Sequence, residues 1–495
     1  MSYLLALDQG TTSSRAIIFD EKGHIHATAQ RETRIKTPHS GWVEQDANEI
    51  WSSQIAVIQQ ALASAHLLAK DIKALGLTNQ RETTVVWDKR TGKALAPAIV
   101  WQDRRAASWC NHLIEQQMLD TVQQKTGLRI DPYFSAGKLV WLLEHIDGLR
   151  ALAEQGHVAF GTIDSWLVWN LTQGAEHIIE ASNASRTMLM NLSTQTWDED
   201  LLAQFNIPHQ MLPKIISSDA YVADTAPGLL GSTIPITGIL GDQQAALFGQ
   251  SCFDAGAAKN TYGTGCFMLF NTGDQLKLSQ NQLLTTLAWQ CQNQTRYALE
   301  GSVFMAGAIV QWLRDGLGII QNSAQVEQLA QQVKSSDGVI LVPAFTGLGA
   351  PHWDSEARAL LCGMSRGTTK AHIARAALEA IAFQVSDVLC AMQSDLSQAL
   401  KELRVDGGAS QNDMLMQFQA DILNVPVLRP KMLESTAWGA AAMAGLKAGV
   451  FSNLDEISAS WQLDRTFEPV MQQDQRESRL FEWNQALKRA KSELI

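Results

Sequence analysis

The amino-acid sequence predicts a mixed α/β protein built as two large domains, and three observations carry that expectation. The chain has 495 residues, 46% of them hydrophobic; a single core stops growing near ~250–300 residues, so one domain cannot hold it all. Short apolar runs of strand length alternate with longer runs of helical period. An apolar strand running into Asp-Gln occurs twice, ending at Asp8 and at Asp242, about half the chain apart. Domains of residues 1–250 and 251–495 are therefore expected, as two similar halves facing each other across a cleft.

Taken in order, a strand over 4–7 meets Asp8-Gln9-Gly10-Thr11-Thr12-Ser13-Ser14-Arg15, and a second strand over 16–20 follows before the turn Glu21-Lys22-Gly23. This is a β-hairpin whose tip is dense in small hydroxyl side chains. The strand Leu75-Gly76-Leu77 is closed by the polar run Asn79-Gln80-Arg81-Glu82, and strands over 83–87 and 94–101 pair beside it. Helices are expected over 104–117 and 137–145. A strand over 236–241 reaches Asp242-Gln243-Gln244 at an Ala-rich helix start, and Asp242 is read as ending the matching strand of the opposite region. The second half has its own hairpin over 260–270, with the tip Gly263-Thr264-Gly265. After Gly367, the residues Ile373, Ala376, Ala377, Ala380, Ile381, Gln384 and Val388 recur on one stripe at helical spacing.

The balance of 39 Lys+Arg against 50 Asp+Glu, a net charge of −11, argues against nucleic acid or an anionic membrane as partner, since either calls for a clustered basic excess. A small molecule fits better. Cys110, Cys252, Cys266, Cys291, Cys362 and Cys390 include no C-x-x-C pair and read as buried thiols of a reducing cytoplasm. No basic head precedes the short apolar run before Asp8, so no signal peptide is expected. The most apolar late window, 437–451, is interrupted by Lys447 and rich in Ala and Gly, too short and too polar for a bilayer. A cytoplasmic protein, not embedded in membrane, is the expectation.

Neither G-x-x-x-x-G-K-[ST] nor G-x-G-x-x-G occurs, so P-loop and Rossmann chemistry are unsupported. The two Gly/Thr tips offer another way to hold phosphates, through turn N–H groups and hydroxyls. A lone tip of this kind is usually a plain turn. Two of them, each near a strand-ending Asp, favour a nucleotide site. Asp8 could hold a hydrated Mg²⁺ on nucleotide phosphates, and Asp242 could take the proton of an attacking hydroxyl; a strand-terminal Asp can equally be a cap or turn former. Asn79 to Glu82 reads either as an exposed strand end or as a fork of donors and acceptors suited to vicinal hydroxyls. Gly363-Met364-Ser365-Arg366-Gly367 spells a nucleophile elbow, but such triads run Ser, acid, His, and the single later histidine, His372, is seven residues on within the same helix. Ser365 is left as a turn residue. The other histidines show no metal-ligand spacing.

Together Asp8–Arg15, Asn79-Gln80-Arg81-Glu82-Thr83-Thr84, Asp131-Pro132-Tyr133-Phe134-Ser135, Gly241-Asp242-Gln243-Gln244, Tyr262-Gly263-Thr264-Gly265-Cys266-Phe267 and Asp406-Gly407-Gly408-Ala409 resemble the FGGY carbohydrate kinases, from residue 4 to at least Phe467, and within them the branch that acts on glycerol. The resemblance implies a two-domain actin/hexokinase-like (ribonuclease H-like) fold with the ATP cleft between the domains, and transfer of phosphate from ATP, with Mg²⁺, to glycerol. It puts polyol contacts on Arg81, Glu82, Trp101, Tyr133, Asp242, Gln243 and Phe267, and the general base on Asp242. Nucleotide contacts fall on Thr11, Thr12, Ser13, Arg15, Thr264, Gly307, Gln311, Gly408 and Asn412, with Mg²⁺ near Asp8 through water. A homo-oligomer, dimer or tetramer, is also implied. Relatives that respond to a sugar bisphosphate carry Gly-x-Arg where this chain has Gly231-Ser232-Thr233. Three rival readings stand beside it, one of them a non-catalytic sensor of the same family, against which the intact Asp8 and Asp242 count. A pentulose or hexulose kinase of the same family needs more room than Trp101 and Phe267 leave, and an ATPase or chaperone on this fold has no need of the Arg81-Glu82 pair.

Overall fold

In the computed structural model, which describes residues 2–396 and 398–492, two mixed sheets organise the chain. The first has the strand order Ala223–Asp224, Pro235–Gly241, Ile72–Asn79, Tyr3–Gln9, Ser13–Asp20, Ile25–Glu32. Tyr3–Gln9 and Ser13–Asp20 form the expected antiparallel hairpin, with Asp8 opposite Arg15. Their apolar residues are buried in continuous runs because both faces are covered. Leu5, Leu7, Ala16 and Ile18 join one cluster with Ile50, Val57 and Ile58 of helix Ala47–Ala65, while Leu4, Ala6, Ile17 and Phe19 join another with Ala437, Trp438 and Ala441 of helix Ser435–Lys447. Ile72–Asn79 and Pro235–Gly241 add in parallel, and the register sets Gln9, Asn79 and Gly241 side by side. In open α/β sheets ligands bind at this carboxyl end of the parallel strands.

The second sheet, in the order Leu284–Cys291, Gln294–Val303, Cys266–Gly273, Ala258–Tyr262, Leu403–Asp406, Val427–Pro430, Leu463–Phe467, repeats the plan. A hairpin with a further antiparallel strand is extended by two parallel strands. This corrects one expectation. The strand before Asp242 is no copy of the first strand in an opposite half; it lies in the first sheet, two places from Tyr3–Gln9, and Asp8 and Asp242 rise from one sheet. Parallel neighbours ending at one cleft carry the same pattern of apolar run then polar tip, so sequence likeness does not separate a neighbour from a repeat. The pairing of 83–87 with 94–101 is also reduced to the single bridges Thr84–Ile99 and Trp87–Ala94, while Val85–Asp88 pairs along its length with Val158–Gly161.

Helices Asp242–Gly249 and Ser435–Lys447 cross between the sheets. A Cβ on Gly439 would lie 1.9 Å from the Ala245 carbonyl oxygen, and one on Gly76 would lie 2.1 Å from that of Ala440. The Ala- and Gly-rich window is thus explained by close helix–helix and helix–sheet approach, and among the described residues no helix is long and apolar enough to cross a membrane. The helical stripe after Gly367 is the 27-residue helix Lys370–Leu396, whose Ala376, Ala377, Ala380, Ile381 and Val388 are buried. Four cysteines are buried as expected, but Cys362 is half-buried and Cys390 is exposed on that helix.

Candidate active site

The aligned ends of the three parallel strands bring together Asp8, the turn after Asn79, and Asp242. Arg81 passes over the neighbouring strand end, where a Cβ on Gly241 would lie 2.8 Å from Arg81 Cδ; only glycine leaves the side chain room. Glu82 sits at φ +62°, a left-handed conformation that costs a non-glycine residue about 1–3 kcal/mol and is held where the surroundings over-determine it. The polar run is therefore not an exposed strand end: Asn79, Gln80, Arg81 and Glu82 are all buried.

Two residues that the sequence reading missed organise this turn. Glu300, in the middle of Gln294–Val303, and Arg186, after the short helix Ala181–Ala184, are wholly buried. Arg81 Nη1 donates to Glu300 Oε2 (2.5 Å) and Gln244 Oε1 (3.3 Å), Nη2 to Glu300 Oε1 (3.0 Å) and Tyr133 Oη (3.4 Å), and Nε lies 3.1 Å from Asp242 Oδ1. All four terminal N–H groups of Arg81 are thus committed within the protein. The long bonds to Gln244 and Tyr133 are those a ligand hydroxyl could displace. Arg186 donates from Nε to Glu82 Oε1 (2.7 Å) and from Nη2 to Glu300 Oε1 (3.0 Å); its Nη1 is buried without a partner among the described residues. Burial pushes the Glu300 carboxyl up, but Arg186 and Arg81 outweigh it and hold the group at about 2. A lone acid inside the apolar run Tyr297-Ala298-Leu299-Glu300 was the available signal, since an unpaired charge there would be prohibitively costly.

Asp242 opens helix Asp242–Gly249, and its side chain is 30% exposed. Oδ1 accepts from the Gln243 N–H at 2.7 Å, while Oδ2, like Glu82 Oε2, takes no hydrogen bond from the described residues. Burial raises the Asp242 pKa above the ordinary carboxylate value, with Arg81 and Lys259 opposing it. Lys259, buried and also missed, donates to Gln243 Oε1 (2.5 Å) and Thr261 Oγ1 (2.8 Å); burial brings its pKa down to about 8, against the pull of Asp406 and Asp242. It orients the Gln243 amide. Trp101 packs edge-on to Tyr133 (centroids 5.6 Å apart) and to Phe267 (6.3 Å), an apolar wall tied to Arg81 through the Tyr133 hydroxyl.

Trp101 Nε1 donates to Thr11 Oγ1 (2.9 Å), which ties that wall to the first hairpin tip, and Gln45 braces the Thr11 carbonyl (2.7 Å). Thr12 and Ser13 complete the tip, and Arg15 pairs with Glu434 at 2.8 Å. At the second tip, the N–H groups of Gly307 and Ala308 donate to the carbonyls of Gly263 and Thr264 (3.0 and 3.1 Å), so helix Gly307–Asp315 starts against it. Gln311 lies one turn along that helix and is exposed. Gly407 has φ +84°, and a Cβ on it would lie 2.5 Å from the Tyr262 carbonyl oxygen, whereas one on Gly408 would face open space. Asn412 caps helix Asp413–Leu423 through Leu415 N (2.8 Å), and only its Oδ1 is used in doing so.

Among the described residues no three His, Cys, Asp or Glu side chains converge as a metal cage. Burial, with Glu434 and Asp242 adding to it against Arg15, raises Asp8 to about 6. That surplus of hard oxygen donors suits a divalent cation held by few protein ligands and completed by water and phosphate. Ser365 sits in an exposed turn, its Oγ accepting from Gly367 N (3.2 Å), and His372 Nδ1 accepts from Thr369 N (3.0 Å); there is no nucleophile elbow.

Comparison with known proteins gives a consistent result. The model of the FGGY family of carbohydrate kinases, N-terminal domain, matches residues 3–249, and that of the C-terminal domain matches residues 258–448. The chain is 91% identical to a glycerol kinase of Acinetobacter baylyi, over all of both chains, and 58% identical to one of Deinococcus radiodurans, over 99% of this chain and 97% of the relative. Its fold superposes on the crystal structure of Plasmodium falciparum glycerol kinase with ADP at a TM-score of 0.92, with 36% identity, covering 99% of this chain and 98% of the other.

Proposed function

The chain belongs to the FGGY family of carbohydrate kinases, and we propose that it transfers the γ-phosphoryl group of ATP to a terminal hydroxyl of glycerol. The observation that carries this reading is that Arg81 joins the Asp242 carboxylate to the Trp101–Tyr133–Phe267 wall through the Tyr133 hydroxyl, with Glu82 held by Arg186 in the same array, in a chain so similar to relatives named glycerol kinase. Glycerol has a hydroxylated edge and a C–H edge. Glu82 Oε2, Asp242 Oδ2, the Gln243 amide and displaceable bonds of Arg81 suit the first, and the aromatic faces suit the second.

Asp242 Oδ2 takes the hydroxyl proton as the oxygen attacks γ-phosphorus, and its raised pKa makes it a better proton acceptor than an ordinary carboxylate. Thr11, Thr12, Ser13 and Arg15 at the first tip and Thr264 at the second hold the phosphates, while Gly307, Gln311, Gly408 and Asn412 border the nucleoside. Asp8 is the residue to hold Mg²⁺ through water, and when bound the ion offsets charge on the phosphates. The same proposal includes a division of the chain near residue 250, a homo-oligomer and a cytoplasmic location. The experiment is a coupled ADP-release assay with glycerol, xylulose, ribulose, gluconate and no acceptor. Glycerol alone should release ADP rapidly; preference for a longer sugar, or release without acceptor, would replace this reading with a sister kinase or a plain ATPase.

A further inference from the structure

The polyol reading uses Arg81, Glu82 and Asp242, but the side chain that joins them has no part in it. Glu300 accepts Nη2 of both Arg81 and Arg186 at 3.0 Å on Oε1, and Nη1 of Arg81 at 2.5 Å on Oε2. Each arginine turns its other edge to a carboxylate at the site, Arg81 Nε to Asp242 Oδ1 (3.1 Å) and Arg186 Nε to Glu82 Oε1 (2.7 Å). The array thus runs carboxylate, arginine, Glu300, arginine, carboxylate, and leaves one oxygen free at each end. Glu300 itself is 0% exposed and out of reach of a ligand. It sits within the seven-stranded sheet, paired with Leu269 on one side and Leu284 on the other, so its backbone is fixed by a different scaffold from the one that carries the four groups it serves.

From this geometry we propose that Glu300 is a positioning residue for the phosphoryl transfer, holding Arg81 and Arg186 so that Asp242 and Glu82 each present one oxygen to the acceptor. The inference rests on the kinase reading above. A site is only as accurate as the shell that locks its rotamers, and bidentate pairing fixes the plane of a guanidinium as a single bond does not. The array also carries a consequence for charge. Besides Arg81, Asp242 is faced by Lys259 and Glu300 from the second sheet and by Asp8 from the first strand. Neutralising Glu300 removes a negative charge near Asp242 and leaves Arg81 free to act on it more strongly, which favours the ionised base.

The test is Glu300→Gln. Two arginines and two carboxylates remain in the variant, a balanced set, so a folded protein is expected. Glycerol-dependent ADP release by the wild type, measured first, examines the kinase reading by itself; should another polyol prove the acceptor, the same comparison is made with it. The proposal expects the acceptor KM to rise about tenfold or more while the ATP KM stays within about twofold. It also expects the acid limb of the kcat/KM profile to move to lower pH, and Glu300→Asp to recover part of the lost affinity. Should Glu300→Gln fail to fold, Glu300→Asp carries the test by the same split of KM values. Wild-type KM values with an unmoved acid limb, or acceptor and ATP KM rising together, would overturn it, since a side chain that merely fills space alters stability without choosing between substrates.

Discussion

Asp242→Asn separates the proposed base from the binding site with little disturbance of either. Asp242 Oδ1 is held by the Gln243 N–H at 2.7 Å and lies 3.1 Å from Arg81 Nε, and an asparagine carbonyl oxygen can accept from both. Arg81 keeps its two bonds to Glu300, so the loss in binding is confined to one partly exposed charge contact, about 1 kcal/mol or less, and the glycerol KM should change by less than about fivefold. What disappears is Oδ2 as proton acceptor, because an amide NH₂ takes its place. A positioned general base is worth roughly 10²–10⁴ in rate, or about 2.7–5.5 kcal/mol of barrier. The measurement is kcat by coupled ADP release, with glycerol and ATP binding followed by calorimetry on the same preparations. The sign of the pH effect follows from the raised pKa of Asp242: the wild-type rate falls as the pH drops through that pKa and the base is protonated, and this limb should be missing from the residual activity of the variant. Turnover within about tenfold of wild type, with binding intact, would remove Asp242 from the chemistry.

Other expectations follow from the same geometry. Arg81→Ala should raise the glycerol KM about tenfold or more and leave the ATP KM less affected, since charge-assisted hydrogen bonds are worth about 1.5–3 kcal/mol; unchanged constants would rule out Arg81 as part of the polyol site. Glu300 falls from an ordinary 4.5 to about 2 on folding, so its contribution, about 3 kcal/mol, is present above pH 4.5 and lost as the pH falls toward 2. The gap in unfolding midpoint between wild type and Glu300→Gln should therefore narrow across that window, and a constant gap would mean that Glu300 is not the ionised partner of the two arginines. No Lys or Arg occurs from Ile215 through Ala258, and Gly231-Ser232-Thr233 offers a phosphate only neutral hydroxyls, so fructose 1,6-bisphosphate should inhibit weakly or not at all. Strong inhibition at millimolar concentration, at low or high protein concentration, would show that other charges supply the site.

Much of this protein is legible in its sequence, and for a local reason. A strand followed by a tight turn is encoded within about ten residues, through apolar runs and turn-forming side chains, so both hairpin tips, the strand end at Asp242, the polar run Asn79 to Glu82 and the long helix after Gly367 can be read from the order of residues alone. The residue types of the tips are also those that the proposed phosphate contacts call for, small hydroxyls and glycine. Tertiary structure decided which strands are neighbours and which are repeats: the strand ending at Asp242 pairs with Ile72–Asn79 inside the first sheet, a fact no local pattern distinguishes. It also decided the charge array. Glu300 meets Arg81 and Arg186 across separations of 219 and 114 residues, and in sequence Glu300 and Arg186 are only isolated charges among apolar or small neighbours. Burial makes such a charge untenable alone, but which partners satisfy it depends on how the two sheets come to face each other, and that is fixed by the packing of helices Asp242–Gly249 and Ser435–Lys447 between them.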